Sequence, residues 1–265
     1  MKKQIIFQNQ NINYQTEGQG ECIVLLHGFM EDLGMWNHHS EELSKDYQVL
    51  CIDLPGHGET GIWRESHGMD FMAEIVEQVL LAEAIEKCIM VGHSMGGYTT
   101  LAFAEKYPQR LNGFGLFHSH SMADSDEAKK NRKRTIEIVK QEKMSFINQF
   151  IPSLFAENNQ LIFKKEIEHQ IEMANAMNPQ GIIAALAGMK ERTMRLDVIA
   201  FSKVPVLFIL GKKDSRIAID HALAQASTAP LAQITVLGNS GHMGWLEEKS
   251  KTTSTIKGFC EFCFS

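Results

Sequence analysis

Cys88-Ile89-Met90-Val91-Gly92-His93-Ser94-Met95-Gly96-Gly97-Tyr98-Thr99-Thr100-Leu101-Ala102-Phe103-Ala104 is the stretch that decides how this chain folds. Its first four residues form a short apolar run of the kind a buried strand requires. The residues after Gly96 read as the opening of a buried helix. Between them, Gly92-His93-Ser94-Met95-Gly96 matches G-x-S-x-G. A serine on so sharp a strand-to-helix turn takes a strained backbone and lifts its hydroxyl above the sheet edge. The flanking glycines leave room for that turn. The bland alternative is a chance glycine-serine loop, but the strand before it and the helix after it give the pentapeptide a mechanical context.

Upstream, Gln4–Phe7 and Ile12–Thr16 read as strands, and Cys22–Leu26 is continuously apolar, as a strand buried on both faces must be. Helix and strand patterns then alternate. They run Trp36–Leu43 (helix), Tyr47–Ile52 (strand), Met69–Ala84 (helix), Ile89–Val91 (strand), Met95–Tyr107 (helix) and Leu111–Phe117 (strand). The pattern resumes with Val206–Leu210 (strand), Ala218–Ala226 (helix), Ile234–Leu237 (strand) and a terminal helix. Such alternation predicts an α/β fold, a parallel sheet with helices on both faces. Between Ser121 and Arg195 the strand signal disappears, so residues 121–195 are expected to form an inserted helical lid on a core of 1–120 and 196–265. Its apolar subset includes Phe146, Phe150, Leu161 and Ile162.

The bulk properties exclude several function classes. The chain has 265 residues, 44% of them hydrophobic, and a net charge of −6 from 26 basic and 32 acidic groups, which calls for no nucleic-acid partner. No run approaches the roughly twenty apolar residues of a membrane span, and the apolar stretch after Lys2-Lys3 is too short for a signal-peptide core. A cytoplasmic setting is expected. Cys22, Cys51 and Cys88 fall in strand-like runs where a thiol acts as a small hydrophobe. Cys260 and Cys263 form a lone C-x-x-C, read here as a helix docking through Phe259, Phe262 and Cys263 rather than as a metal site. No metal and no cofactor is expected. The basic run Lys129-Lys130-Asn131-Arg132-Lys133-Arg134 reads as a solvated helix face, with attraction of anionic substrates as the sharper alternative.

A serine hydroxyl needs a base. His242, in Gly241-His242-Met243-Gly244 after the strand Ile234–Leu237, stands where that base belongs. The imidazole in turn needs an acid to hold its tautomer. Asp214 follows Val206–Leu210 at a strand's C-terminal end, and Asp220, inside the next helix, is its competitor. An anion pocket is expected from the backbone N–H of Met95 and that of Phe29, in the loop His27-Gly28-Phe29-Met30. Phe117-His118-Ser119-His120-Ser121 is less usual. His118 and His120 either bind a substrate carboxylate or polar acyl group or satisfy hydrogen bonds at the lid hinge.

Taken in order, His27-Gly28-Phe29, Asp53-Leu54-Pro55-Gly56-His57-Gly58, Gly92-His93-Ser94-Met95-Gly96-Gly97, Gly211-Lys212-Lys213-Asp214 and Gly241-His242 resemble the landmarks of the α/β-hydrolase fold superfamily. The likeness is to its lid-bearing group of carboxylesterases, enol-lactonases, serine haloperoxidases and carbon–carbon bond hydrolases. It covers essentially the whole chain except the lid. The resemblance implies a mostly parallel eight-stranded sheet, Ser94 as nucleophile, His242 as base, Asp214 as orienting acid, and Phe29 with Met95 as oxyanion hole. It also implies that Asp53–Gly58 is a structural loop, that His57 is a hydrogen-bonded loop residue, and that His93 packs under the elbow. The activity implied is cleavage of a small or medium carboxylic ester, thioester or lactone through an acyl-enzyme, with a small-molecule acyl substrate as the partner. Phe146 and Phe150 are candidates to line its pocket. Carbon–carbon hydrolysis, a lyase reaction like that of the menaquinone-pathway members, and a ligand receptor on the same scaffold are the alternatives. Serine rather than aspartate at position 94 argues against dehalogenase or epoxide hydrolase chemistry.

Overall fold

The computed structural model describes residues 1–265. Eight strands form one sheet: β1 (Lys2–Phe7), β2 (Gln10–Glu17), β3 (Cys22–Leu26), β4 (Gln48–Ile52), β5 (Cys88–His93), β6 (Leu111–Phe117), β7 (Val206–Gly211) and β8 (Ala232–Leu237). Their spatial order is β1-β2-β4-β3-β5-β6-β7-β8. β1 pairs antiparallel with β2, and β2 with β4, while every later pairing is parallel. Burial follows position in the sheet. β3, β5 and β7 are buried at every residue, whereas the edge strands β1 and β8 alternate between exposed and half-buried positions, β8 ending on the buried Leu237.

The helices of the sheet are α1 (Asn37–Leu43), α2 (Met69–Ala82) and α3 (Met95–Lys106) in its first half. Between β6 and β7 the chain carries α4 (Asp126–Phe150), α5 (Lys164–Ala176), α6 (Pro179–Glu191) and the short α7 (Leu196–Ala200). α8 (Ile219–Ala226), α9 (Gly244–Glu247) and α10 (Lys249–Phe264) follow in the second half. The crossover from β3 to β4 steps one way across the sheet, and those from β4 through β8 step the other way. Because parallel crossovers are right-handed, α1 must lie on one face and α2, α3 and α8 on the opposite one. α2 packs against α3, as that rule requires, and α1 packs against the terminal α10. The reversal of direction beside β3 leaves a crevice between the C-terminal ends of β3 and β5. Leu26 is paired with Gly92 and Phe117 with both His93 and Ile209. The loops after β3, β5, β6 and β7 therefore leave the sheet at nearly one level.

Local departures from the sequence reading have clear causes. α2 ends at Ala82, two residues early, because Ala84 turns to φ 53°. α4 is kinked at Glu142, where φ −140° and ψ 50° break the helical path. Phe262 does not dock the last helix. It is 51% exposed, while Ile256, Phe259 and Cys260 are fully buried, so the docked face follows the i, i+3, i+4 spacing and Phe262 falls outside it. Leu161 and Ile162 are exposed as well, on the turn before α5. No helix is long and apolar enough to cross a membrane.

Candidate active site

Ser94 occupies the single residue between β5 and α3, at φ 49° and ψ −110°. Its backbone is held on both sides: its N–H donates to the Phe117 carbonyl (2.8 Å), and its carbonyl accepts from Ser119 Oγ (2.8 Å). The glycines of the motif are there for space. A Cβ on Gly92 would stand 2.2 Å from the Gly96 carbonyl, and one on Gly96 would stand 2.4 Å from Leu26 O. Strand, turn and helix are thus pressed together so closely that the strained serine has no relaxed alternative.

Two residues from separate loops line up behind its hydroxyl. His242 Nε2 is 2.9 Å from Ser94 Oγ, and His242 Nδ1 is 2.8 Å from Asp214 Oδ2. Asp214 accepts only, so Nδ1 carries a proton, and Nε2 is left as a lone pair aimed at the serine hydroxyl. Asp214 Oδ1 accepts from the backbone N–H groups of Arg216 (2.7 Å) and Ile217 (3.1 Å). Burial alone would raise its carboxyl, but the attraction of His242 and the close approach of His118 outweigh that and hold it well below the usual carboxylate range. Asp220 sits in the first turn of α8. The N–H groups of Phe29 and of Met95, first residue of α3, donate to no group in the chain.

The two histidines after β6 are placed differently. His118, at φ 47°, is fully buried, with Nδ1 3.0 Å from Asp214 Oδ2 and 3.2 Å from the Gly211 N–H. Burial pushes it down to about 4. His120 accepts the Met122 N–H at Nδ1 (3.1 Å) and lies 3.3 Å from Tyr98 Oη at Nε2. It too is pushed down to about 4, by burial and then by the Arg192 charge. Phe146 and Phe150 stack with ring centroids 5.2 Å apart, and Phe150 meets the Phe29 ring edge-on at 6.1 Å. His57 hydrogen-bonds the Pro55 carbonyl at 3.2 Å.

One contact set has no signal in the sequence. Glu247 accepts from Ala156 N (2.9 Å), Asn159 Nδ2 (2.7 Å) and Gly241 N (2.8 Å), and His242 N donates to Leu154 O (2.7 Å). The segment 154–159, between α4 and α5, is in this way tied to the loop that carries His242.

The sequence profile of the alpha/beta hydrolase fold matches residues 21–249. Among curated proteins, the chain is 25% identical over 257 residues to a pimeloyl-[acyl-carrier protein] methyl ester esterase of Vibrio parahaemolyticus, covering 95% of this chain and 98% of that one. It is 27% identical over 252 residues to the dihydrolipoyllysine-residue acetyltransferase component of the acetoin cleaving system of Pseudomonas putida, covering 93% of this chain. There, as with the Cupriavidus necator counterpart, it spans 65% of the relative's length. Among solved structures, a thermophilic esterase from Thermogutta terrifontis superposes with a TM-score of 0.94 at 30% identity, each chain covered fully. The enol-lactonase of Burkholderia xenovorans superposes at 0.90 with 20% identity, covering 98% of this chain and 100% of that one, which speaks for the fold alone. The chain belongs to the alpha/beta hydrolase fold family.

Proposed function

We propose that this protein is a serine hydrolase that cleaves small or medium carboxylic esters through an acyl-enzyme. The observation that carries the reading is the row Ser94 Oγ, His242 Nε2, His242 Nδ1, Asp214 Oδ2, with links of 2.9 and 2.8 Å. The activities of the Vibrio esterase and the Thermogutta esterase support the ester class. In the proposed reaction His242 takes the Ser94 proton as Oγ attacks the ester carbonyl. The carbonyl oxygen becomes an oxyanion and is received by the Phe29 and Met95 amides, Met95 lying at the positive end of α3. His242 then gives its proton to the departing alkoxide. A water, deprotonated by the same nitrogen, releases the acid and restores Ser94.

Residues 121–195 act in this reading as a cap over a core of 1–120 and 196–265, with Phe146 and Phe150 facing the acyl chain and His118 and His120 at the hinge. The substrate is a small acyl compound, and the five unbridged cysteines suit a cytoplasmic setting. Incubation with a fluorophosphonate probe tests the chemistry. The probe's mass is expected on Ser94 and absent from Ser94→Ala. A folded protein that stays unlabelled at several pH values would favour a ligand receptor instead. A panel of p-nitrophenyl esters of rising acyl length, run beside lactone and acyl-CoA substrates, then sorts the substrate class.

A further inference from the structure

Beneath the triad lies a second acid–histidine pair that the hydrolytic steps do not use. Glu31 and His93 are both buried, their side chains 4% and 1% exposed, and Glu31 Oε2 is 2.8 Å from His93 Nδ1. Two further donors reach the same carboxylate: Gly28 N–H to Oε2 (2.7 Å) and Trp245 Nε1–H to Oε1 (3.1 Å). The other nitrogen of His93 faces the backbone carbonyl of His242 at 2.9 Å. A carboxyl that receives three donors is held as the anion, and an imidazole with an acceptor at each nitrogen carries both protons. Burial opposes both charges, but the mutual attraction and hydrogen bond of the pair outweigh it, raising His93 and lowering Glu31.

The placement of the pair is what gives it a task. Gly28 is held at its N–H by Glu31, and its carbonyl lies 2.7 Å from His27 Nδ1. In a trans peptide the N–H points opposite the C=O, so the Phe29 N–H is aimed away from His27. A Cβ on Gly28 would stand 2.5 Å from Glu31 Oε2 and 2.7 Å from His93 Nδ1, so the pair is packed directly against this loop. On its other side, His93 grips residue 242 by its carbonyl, and Trp245 lies three residues further on.

We propose that the buried Glu31–His93 ion pair is a positioning brace, which locks the loop bearing the Phe29 amide to the loop bearing His242 so that oxyanion donor and base keep one spacing. The proposal rests on the hydrolase reading above and adds two positioning residues to it. Neither residue touches the substrate. Glutamine at position 31 keeps the size of the side chain but cannot satisfy the neighbourhood. Its NH2 must face either the Gly28 N–H or the Trp245 N–H, and it offers no charge to His93.

The test compares wild type, Glu31→Gln and Trp245→Phe for kcat and KM on p-nitrophenyl acetate, beside circular-dichroism melting. Misplacement of the loops by a fraction of an ångström should lower kcat of Glu31→Gln about tenfold to a hundredfold, with KM changed by less than about threefold. Trp245→Phe keeps an aromatic ring but removes the donor together with the pyrrole part of the indole, so a kcat loss of roughly threefold to tenfold is expected. A folded Glu31→Gln with unchanged kcat, or with a raised KM alone, overturns the proposal. Should Glu31→Gln not fold, unchanged kcat in Trp245→Phe overturns it. The charge state is read separately by nitrogen-15 NMR of histidine-labelled protein. His93 is expected to keep both ring protons at a pH above the ordinary histidine value, where a solvated imidazole has lost one, and to lose one in Glu31→Gln. A neutral His93 overturns the brace. That spectrum requires no turnover, so an inert wild type would sink the hydrolase reading and leave the pair to be judged by the spectrum.

Discussion

Asp214 Oδ2 is approached by His118 Nδ1 at 3.0 Å, on the same oxygen that takes His242 Nδ1 at 2.8 Å. The Gly211 N–H, 3.2 Å from His118 Nδ1, asks that nitrogen for a lone pair, whereas the carboxylate asks it for a proton. The carboxylate prevails, because two facing lone pairs at that distance in a buried site would repel more than a long neutral hydrogen bond gains. His118 thereby shares in orienting the acid. Replacing it by Leu should lower kcat about tenfold, the worth of roughly 1.4 kcal/mol, with KM held. Steady-state kinetics with an ester substrate checks this, and an unchanged kcat would show that His118 only fills space.

Loss of the proposed triad should be far more costly. His242→Ala is expected to abolish p-nitrophenyl acetate turnover while the melting temperature stays close to wild type. Asp214→Asn should lose about a thousandfold or more, because Nδ1 then faces an amide that stabilises the wrong tautomer. Retained activity in Asp214→Asn would point to another acid, Asp220 first.

Most of the fold and the centre of the candidate site could be read from local sequence, and the remainder could not, for one physical reason. Ser94, Asp214 and His242 each stand at a strand's C-terminal end, a place that apolar runs and glycines mark within about ten residues on either side. Glu31 and His93 are 62 residues apart, and Ala156 and Glu247 are 91 apart. A glutamate has no local mark that announces burial, so both carboxylates look like ordinary surface charges until the sheet order brings their donors together. Leu161 and Ile162 err in the other direction. Composition suggests that they are buried, yet they are 88% and 71% exposed because their turn presents no face to the core. Phe262 shares a turn with Phe259, and only its angular distance from Ile256 and Cys260 around the helix puts it outside the docked face.

Buried neutral histidines make stability fall with pH in a defined window. His39 and His57 are pushed down to about 3, and His67 and His118 to about 4, in each case first by burial. A histidine lowered in the folded state stays neutral there while the unfolded chain takes up a proton below about 6.5. The unfolded state thus binds more protons, and stability, full above about pH 6.5, declines as pH drops toward 4 and 3. One unit below the ordinary value, each such group costs about 1.4 kcal/mol. Melting curves between pH 8 and pH 5 should therefore show a steep decline, shallower in His39→Gln. A flat profile would mean that these imidazoles are solvated or already charged.

Glu247 gives the segment between α4 and α5 a structural hold on the loop that carries His242. Burial raises its carboxyl, against the pull of Asn159 and the Ala156 and Gly241 amides. Glu247→Ala would leave the Ala156 and Gly241 N–H groups without an acceptor, at about 1–3 kcal/mol for each one that stays buried, while Asn159 keeps the Asn239 carbonyl. Both the melting temperature and kcat should fall. Asn159→Ala, which removes one of the three donors, should show the smaller loss in each. A stable but slow Glu247→Ala would separate positioning of His242 from overall folding.

Phe150 joins α4 to the loop after β3, its ring meeting Phe29 edge-on and stacking on Phe146, with the Arg216 guanidinium 4.8 Å from its centroid. An acyl chain on Ser94 that extends past Phe29 would meet these rings first. Truncation in Phe150→Ala removes an aromatic face of a size that typically contributes 1–3 kcal/mol to holding an apolar group. The loss should appear as a higher KM, greater for longer p-nitrophenyl esters and near nothing for the acetate, with kcat little changed because the rings do not touch the reacting carbonyl. Equal losses across the acyl series would place the acyl pocket elsewhere and leave Phe150 as packing between cap and core.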